Sequence, residues 1–269
     1  MYRFDYHLHT CHSMDANTPV AEMCEAAVRV GLDEICITDH TEFGHPDPRS
    51  DIPPVVERWL ADIEAAKDKY PALTIRVGIE IGDNPLCRDR IKEWHFALPL
   101  DFRLLSLHLI DNEDPYFPEF FANKTQEAFY RRYVESKLES VLAWAPDTYD
   151  AVAHLGYCAK FAPYPMEERP LRYQHAPDAF DTLFHHMALH GKALEINTSG
   201  RRSMGEFIPD RELLARFQEA GGEFVTIGSD AHRPEHVGNW IDDARELAKE
   251  CGLRYGLTFQ ERRPVPILL

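Results

Sequence analysis

An α/β barrel built on a parallel sheet is the fold class this chain predicts, and three observations lead there. Apolar, strand-like runs alternate with helical stretches, and no linker, short-period repeat or low-complexity tract interrupts the series. The strand-like runs are rich in Val, Ile, Leu and Phe, as strands covered on both faces require. Nearly every one of them ends in His, Asp or Glu, and a parallel barrel gathers the carboxyl ends of its strands at one face.

The first strand, Tyr2–His9, closes on His7-Leu8-His9, whose imidazoles share a side because alternate residues of an extended chain do. A helix over Pro19–Val30 follows, with Asn17-Thr18 as its cap signal and Gly31 as its stop. The second strand, Glu34–Asp39, runs into Thr38-Asp39-His40, and Pro53–Tyr70 opens a helix on a proline pair with Leu, Ile and Ala at helical spacing. Leu73–Ile81 is the third strand, with Glu80 near its end, before a weaker helix over Leu86–Leu98. Phe102–Ile110 carries His108 and leads to the helix Gln126–Ala145. Tyr149–Leu155 brings His154, the helix Asp178–His190 follows, and Ala193–Thr198 is the sixth strand. The helix Asp210–Ala220, the strand Glu223–Ser229 with Gly228-Ser229-Asp230-Ala231-His232 at its exit, and the helix Pro234–Glu250 complete the series. One uninterrupted run of seven units points to a single domain over residues 1–269.

Composition narrows the function. The chain is 44% hydrophobic and 28% charged, with a mean hydropathy of -0.40, which fits a soluble enzyme. A net charge of -16 argues against a nucleic-acid surface, which needs basic stripes, and favours a small substrate bearing a positive amine. The six cysteines show no C-x-x-C spacing and suit small core positions in a reducing compartment. Met1 leads straight into Tyr2-Arg3-Phe4-Asp5 and no long apolar run occurs, so the expected location is the cytoplasm, with no membrane partner.

The chemistry lies in nine side chains of metal-binding type: His7, His9, Asp15, His40, Glu80, His108, His154, Asp230 and His232. They are too many for one ion and include no thiolate. Two or three divalent ions held by nitrogen and oxygen, with zinc, iron and manganese equally suited, would activate water against a phosphate ester. A carboxylate and an imidazole side by side after a buried strand, as in Asp39-His40, are costly unless paired or metal-bound.

The motifs His7-Leu8-His9-Thr10, Thr38-Asp39-His40, Gly78-Ile79-Glu80, Ser106-Leu107-His108, His154-Leu155-Gly156 and Gly228–His232 resemble those of the polymerase and histidinol phosphatase (PHP) superfamily over essentially the whole chain. That resemblance implies a distorted (β/α)7 TIM-like barrel with a trinuclear metal cluster. It gives His7, His9, Glu80 and Asp230 to one ion, with Glu80 bridging to a second held by His108 and His154. Asp15, His40 and His232 would hold the third. Other members use histidine where Asp15 stands, so His12 is the neighbouring alternative.

Within the superfamily the chain is most similar to the histidinol-phosphate phosphatases, through its length, Glu195–Gly200 and the full Gly228–His232 motif. The implied activity is hydrolysis of L-histidinol phosphate to L-histidinol and phosphate in histidine biosynthesis. The alternatives are another small phosphate ester or nucleotide, an exonuclease of the superfamily, or a metal-binding module without catalysis. Glu80 and Asp230 would serve catalysis through the metals, with Asp39 and His232 as candidate proton donors to the leaving group. Lys160, Arg201 and Arg202 are the candidate phosphate anchors. The loops Phe43–Asp51 and Asp111–Lys124, carrying His45, Asp47, Asp111, Glu113, Asp114 and Glu119, are candidates for the amine pocket, and His175 is a further loop histidine that could line it.

Overall fold

The computed structural model describes residues 1–51 and 53–269. Seven strands form the parallel wall: β1 (Phe4–Leu8), β2 (Glu34–Ile37), β4 (Thr74–Gly82), β5 (Phe102–Ser106), β6 (Ala151–Val152), β7 (Ala193–Asn197) and β8 (Phe224–Gly228). A short strand, β3 (His40–Thr41), pairs His40 with Glu80 and so sets a loop residue into register with β4. The wall residues are buried almost without exception, because helices cover one side and opposite strands the other. Those helices include α1 (Val20–Arg29), α2 (Val56–Lys69), α3 (Arg88–Phe96), α4 (Gln126–Ala143) and α5 (Pro177–Leu189). α6 (Ser199–Met204), α7 (Arg211–Glu219) and α8 (Ile241–Glu250) complete the series.

β1 and β8 meet only at their carboxyl ends. There Leu8 bridges Ala231, the Asp230 N–H donates to the His7 carbonyl at 2.7 Å, and the His9 N–H donates to the Ala231 carbonyl at 2.8 Å. At the other end the start of β8 pairs with β9 (Tyr255–Gln260), which forms an antiparallel hairpin with β10 (Arg263–Leu268). The hairpin plugs the amino-terminal end of the barrel. Tyr6 packs against Phe102 and Phe259, and its hydroxyl accepts the Phe259 N–H at 2.7 Å.

Two expectations need correction. The helix expected over Pro234–Glu250 is a 3-10 turn at Pro234–His236 followed by α8, because Gly238 and Trp240 take positive φ and the Gly238 N–H is held by Asp5. Arg201 and Arg202, expected to face the active end as phosphate anchors, instead lie on a helix that begins at Ser199 and sets their directions.

Candidate metal centre

Residues at the ends of most of the strands line one cavity of about 370 Å³, whose floor includes His40, Glu80, His108, His154, Asp230 and His232. Four overlapping groups of ligand atoms lie there: His7, His9 and Asp230; His7, Glu80 and His154; His40, Glu80 and His108; and His9, His40 and His232. Glu80 stands at the centre. Its Oε2 is 3.1 Å from His7 Nε2 and 3.4 Å from His9 Nε2, while its Oε1 is 2.7 Å from His154 Nε2 and 3.2 Å from His108 Nε2. Asp15 approaches His232 at 2.9 Å and His40 at 3.5 Å. His12 turns away to Asp62 at 2.9 Å, so Asp15 is the loop residue that joins the group.

Whether this donor set fits metal ions follows from the tautomers. His7 Nδ1–H donates to Glu195 Oε1 at 2.5 Å and His9 Nδ1–H donates to Ser13 Oγ at 3.2 Å. Ser13 Oγ spends its own proton on Asp39, so His9 must be the donor in that pair. With neither ring carrying an extra proton, both Nε2 atoms are lone pairs that face each other at 3.1 Å. Such an arrangement is repulsive without a cation, and the donors suit a divalent one. His108 is tethered the same way, its Nδ1–H donating to Glu42 at 2.6 Å, and buried His154 Nδ1 and His40 Nδ1 lack hydrogen-bond partners among the described residues.

Electrostatics point the same way. Burial opposes every charge at this site. Even so, Glu195, Glu80 and Asp230 hold His7 well above the usual imidazole range, Glu80 and Asp15 do so for His40, and Glu42 and Glu80 push His108 up to about 9. His7, His40 and His108 in turn hold the Glu80 carboxyl far below its ordinary value, and Lys160 and His7 do so for Asp230. Burial, His232 and His40 pull His9 down to about 3, and burial pulls His154 down to about 4. Without metal the cluster is balanced by shared protons, which a divalent ion would displace.

The supporting residues are as revealing as the ligands. Glu195 accepts from His7 with one oxygen and from the His154 N–H, at 2.7 Å, with the other. Ser106 donates to Glu80 at 2.5 Å. A Cβ on Gly228 would collide with His7 and with Glu195, so glycine lets β8 approach β1 at the cluster. His154 and Asp230 both take positive φ, a strain of roughly 1–3 kcal/mol each, held by these backbone hydrogen bonds. The motifs of the sequence do not single out Glu42 or Ser13. Glu42 carries a usable signal, since it lies two residues beyond His40 and so shares its side of an extended segment.

The expected catalytic and phosphate-binding residues divide. Lys160 lines the cavity, with Nζ donating to Asp230 and to Ser199, both at 3.0 Å. Arg202 instead donates to the Ser229 and Asp230 carbonyls at 3.3 and 3.2 Å, bracing the turn that presents Asp230. Arg201 lines a separate surface groove, stacked on Phe207 and 3.7 Å from Asp243, because successive helical positions in α6 point it away. Asp39 is also off the cavity: Thr10 N–H, Thr10 Oγ1, Ser13 Oγ and Trp59 Nε1 all donate to it at 2.6–3.0 Å, leaving it an organiser of the Thr10–Ser13 turn. Of the amine candidates, His45, Asp47 and Asp114 line the cavity mouth, while Asp111 and Glu113 are taken by Arg132 and Lys124. His175 lies elsewhere, its Nδ1 accepting the Arg172 N–H.

Residues 5–199 match the model of the PHP domain. The chain belongs to the PHP domain family. Asp230 and His232, the last two of the expected ligands, come from beyond the matched segment. Among the relatives of this PHP chain, the histidinol-phosphatase of Lactococcus lactis is 29% identical over 264 residues, covering 96% of this chain and 95% of that one. A probable histidinol-phosphatase of Thermotoga maritima is 29% identical over 251 residues, covering 93% of each. The crystal structure of the Lactococcus lactis histidinol phosphate phosphatase, complexed with zinc, L-histidinol and phosphate, matches this fold with a TM-score of 0.89 at 27% identity, over 98% of both chains. No described helix is long and apolar enough to cross a membrane.

Proposed function

We propose that this protein is a metal-dependent phosphomonoesterase that hydrolyses L-histidinol phosphate to L-histidinol and phosphate. The observation that carries the reading is a thiolate-free cluster of His, Asp and Glu at the floor of a cavity whose mouth is acidic and aromatic. Its likeness to histidinol-phosphatases extends along nearly the whole chain. We assign two or three divalent ions to the cluster, with zinc favoured by the relative that holds it, and read residues 1–269 as one cytoplasmic unit.

The ions, when bound, supply Lewis acidity and a water molecule of lowered pKa for in-line attack at phosphorus. Glu80 joins the histidine groups, and Glu195, Glu42 and Ser13 aim their imidazoles. Lys160 has one ammonium N–H left over after Asp230 and Ser199, which is free for a phosphate oxygen. Asp114 at the mouth suits the substrate ammonium, Asp47 there being held by Arg49, and Tyr116, Phe117 and Phe161 suit its imidazole. With Asp39 saturated, His232, 27% exposed, is the candidate proton donor that still reaches the cavity.

The test is turnover of metal-replete protein on histidinol phosphate, sugar phosphates, nucleotides and a single-stranded oligonucleotide, with metal content measured alongside. A kcat/KM for histidinol phosphate about 10²-fold above that for sugar phosphates is expected, the discrimination one well-placed charged contact gives. Equal rates would mean a generic phosphatase, and nucleotide release from DNA an exonuclease.

A further inference from the structure

Tyr157 opens a 3-10 turn, Tyr157–Lys160, three residues after His154, and belongs to none of the metal motifs. Its ring centroid lies 4.8 Å from that of His108, 5.0 Å from that of His154 and 5.2 Å from that of Phe161, and Lys160 Nζ sits 5.5 Å above the ring. The side chain lines the cavity. Neighbouring Tyr133 spends its hydroxyl on the backbone of His154 and Gly156, whereas the Tyr157 hydroxyl engages no partner among the described residues. It shares that cavity with Asp114, Glu42, Asp230 and Glu80, and burial together with these carboxylates pushes the phenol well above its usual range, which keeps its proton in place to donate. Of the other donors facing the cavity, His45 is engaged by Asp114 and Arg49 by Asp47, Lys160 is two-thirds engaged, and Tyr116 is largely exposed.

A phenol can donate one hydrogen bond without adding charge. Beside a metal cluster, such a donor can bind phosphate without repelling the cations that a further basic residue would oppose. We infer that the Tyr157 hydroxyl donates to a non-bridging oxygen of the substrate phosphate, as a catalytic residue beside Lys160. This rests on the phosphomonoesterase reading and adds to it the group that orients the phosphoryl.

Tyr157→Phe keeps the ring and its packing and removes only the hydroxyl. In the metal-loaded protein it should leave metal content and Tm unchanged and lower kcat/KM by about 10²-fold, the usual cost of one such donor. Calorimetric titration with inorganic phosphate should show binding weakened roughly 10-fold, the worth of one hydrogen bond to a charged group. Inhibition by L-histidinol should stay as in the parent protein. Unchanged phosphate affinity, or a loss of metal in the variant, would overturn the assignment. If the parent protein turns over no histidinol phosphate, the substrate proposal falls on that result alone, and the phosphate titration still decides the role of Tyr157.

Discussion

Glu195 spends its two oxygens on two different parts of the cluster, the His7 ring and the His154 backbone. An amide at this position can accept at one end only and presents N–H to a donor at the other. Glu195→Gln should therefore cost roughly 10–100-fold in metal affinity or activity, the usual toll for a partner that orients a metal ligand. Lys160→Ala should keep its metals and lose about 10²-fold in kcat/KM. Arg201→Ala should be silent, since its groove lies off the site. Elemental analysis together with steady-state kinetics separates the three, and a strong loss in Arg201→Ala would contradict the geometry. The cluster was legible because a polar residue at the end of an apolar strand is expensive and so conspicuous. Glu42, Ser13 and Ser106 were less so, since a hydroxyl or a loop carboxylate is ordinary in sequence and gains meaning only from what it touches. Arg201 and Arg202 show the converse. Basic residues near a strand end suggest phosphate, but direction is set by the helix that starts at Ser199.

At the scale of elements, the strand ends and most helices followed from pattern, with boundaries displaced by a residue or a few. The β9–β10 hairpin did not. Pro264 and Pro266 demote a strand in sequence, yet they sit two apart on a strand with one partner, where both missing N–H groups face away from β9. Its turn, Glu261-Arg262, takes positive φ at both residues, where Asn-Gly would be expected. The contacts explain the exception. Asp101 accepts the Glu261 N–H with its carboxylate and the Arg262 N–H with its carbonyl, while the Arg262 guanidinium grips Asp150 with two nitrogens. Arg262→Gly relieves about 1 kcal/mol of backbone strain. It also leaves the buried Asp150 carboxylate unpaired, at about 3 kcal/mol. The lost ion pair outweighs the relieved strain, and the variant should be destabilised by about 2 kcal/mol in denaturant unfolding. A stabilised variant would show that the turn, not the ion pair, governs this end of the barrel.

For the whole molecule, the cluster lies on the seam where β1 meets the segment after β8, so metal should hold the barrel shut. Any ligand present at 100 times its Kd adds about 2.7 kcal/mol, or ~5 °C of Tm for a chain this long. Chelation should lower Tm by at least that amount, with recovery on adding zinc. The sign of the pH effect follows from His108, whose proton in the metal-free protein persists up to about 9. Loading at neutral pH must expel that proton, so metal affinity should rise as pH climbs towards 9 and fall as the solution is acidified. Calorimetry in buffers of different ionisation heats measures the release, and a proton-neutral reaction would contradict it. The seam was half legible: the motifs gave both of its margins, but hydrogen bonds between residues so far apart in sequence leave no local pattern. The same feature orders events during synthesis. His7 and His9 leave the ribosome long before Asp230 and His232 do. A growing chain therefore carries imidazoles that can catch a metal but cannot complete its shell. On the phosphomonoesterase reading, phosphate chemistry begins only once the segment after β8 arrives, so a shorter nascent chain cannot act on the cell's phosphate esters.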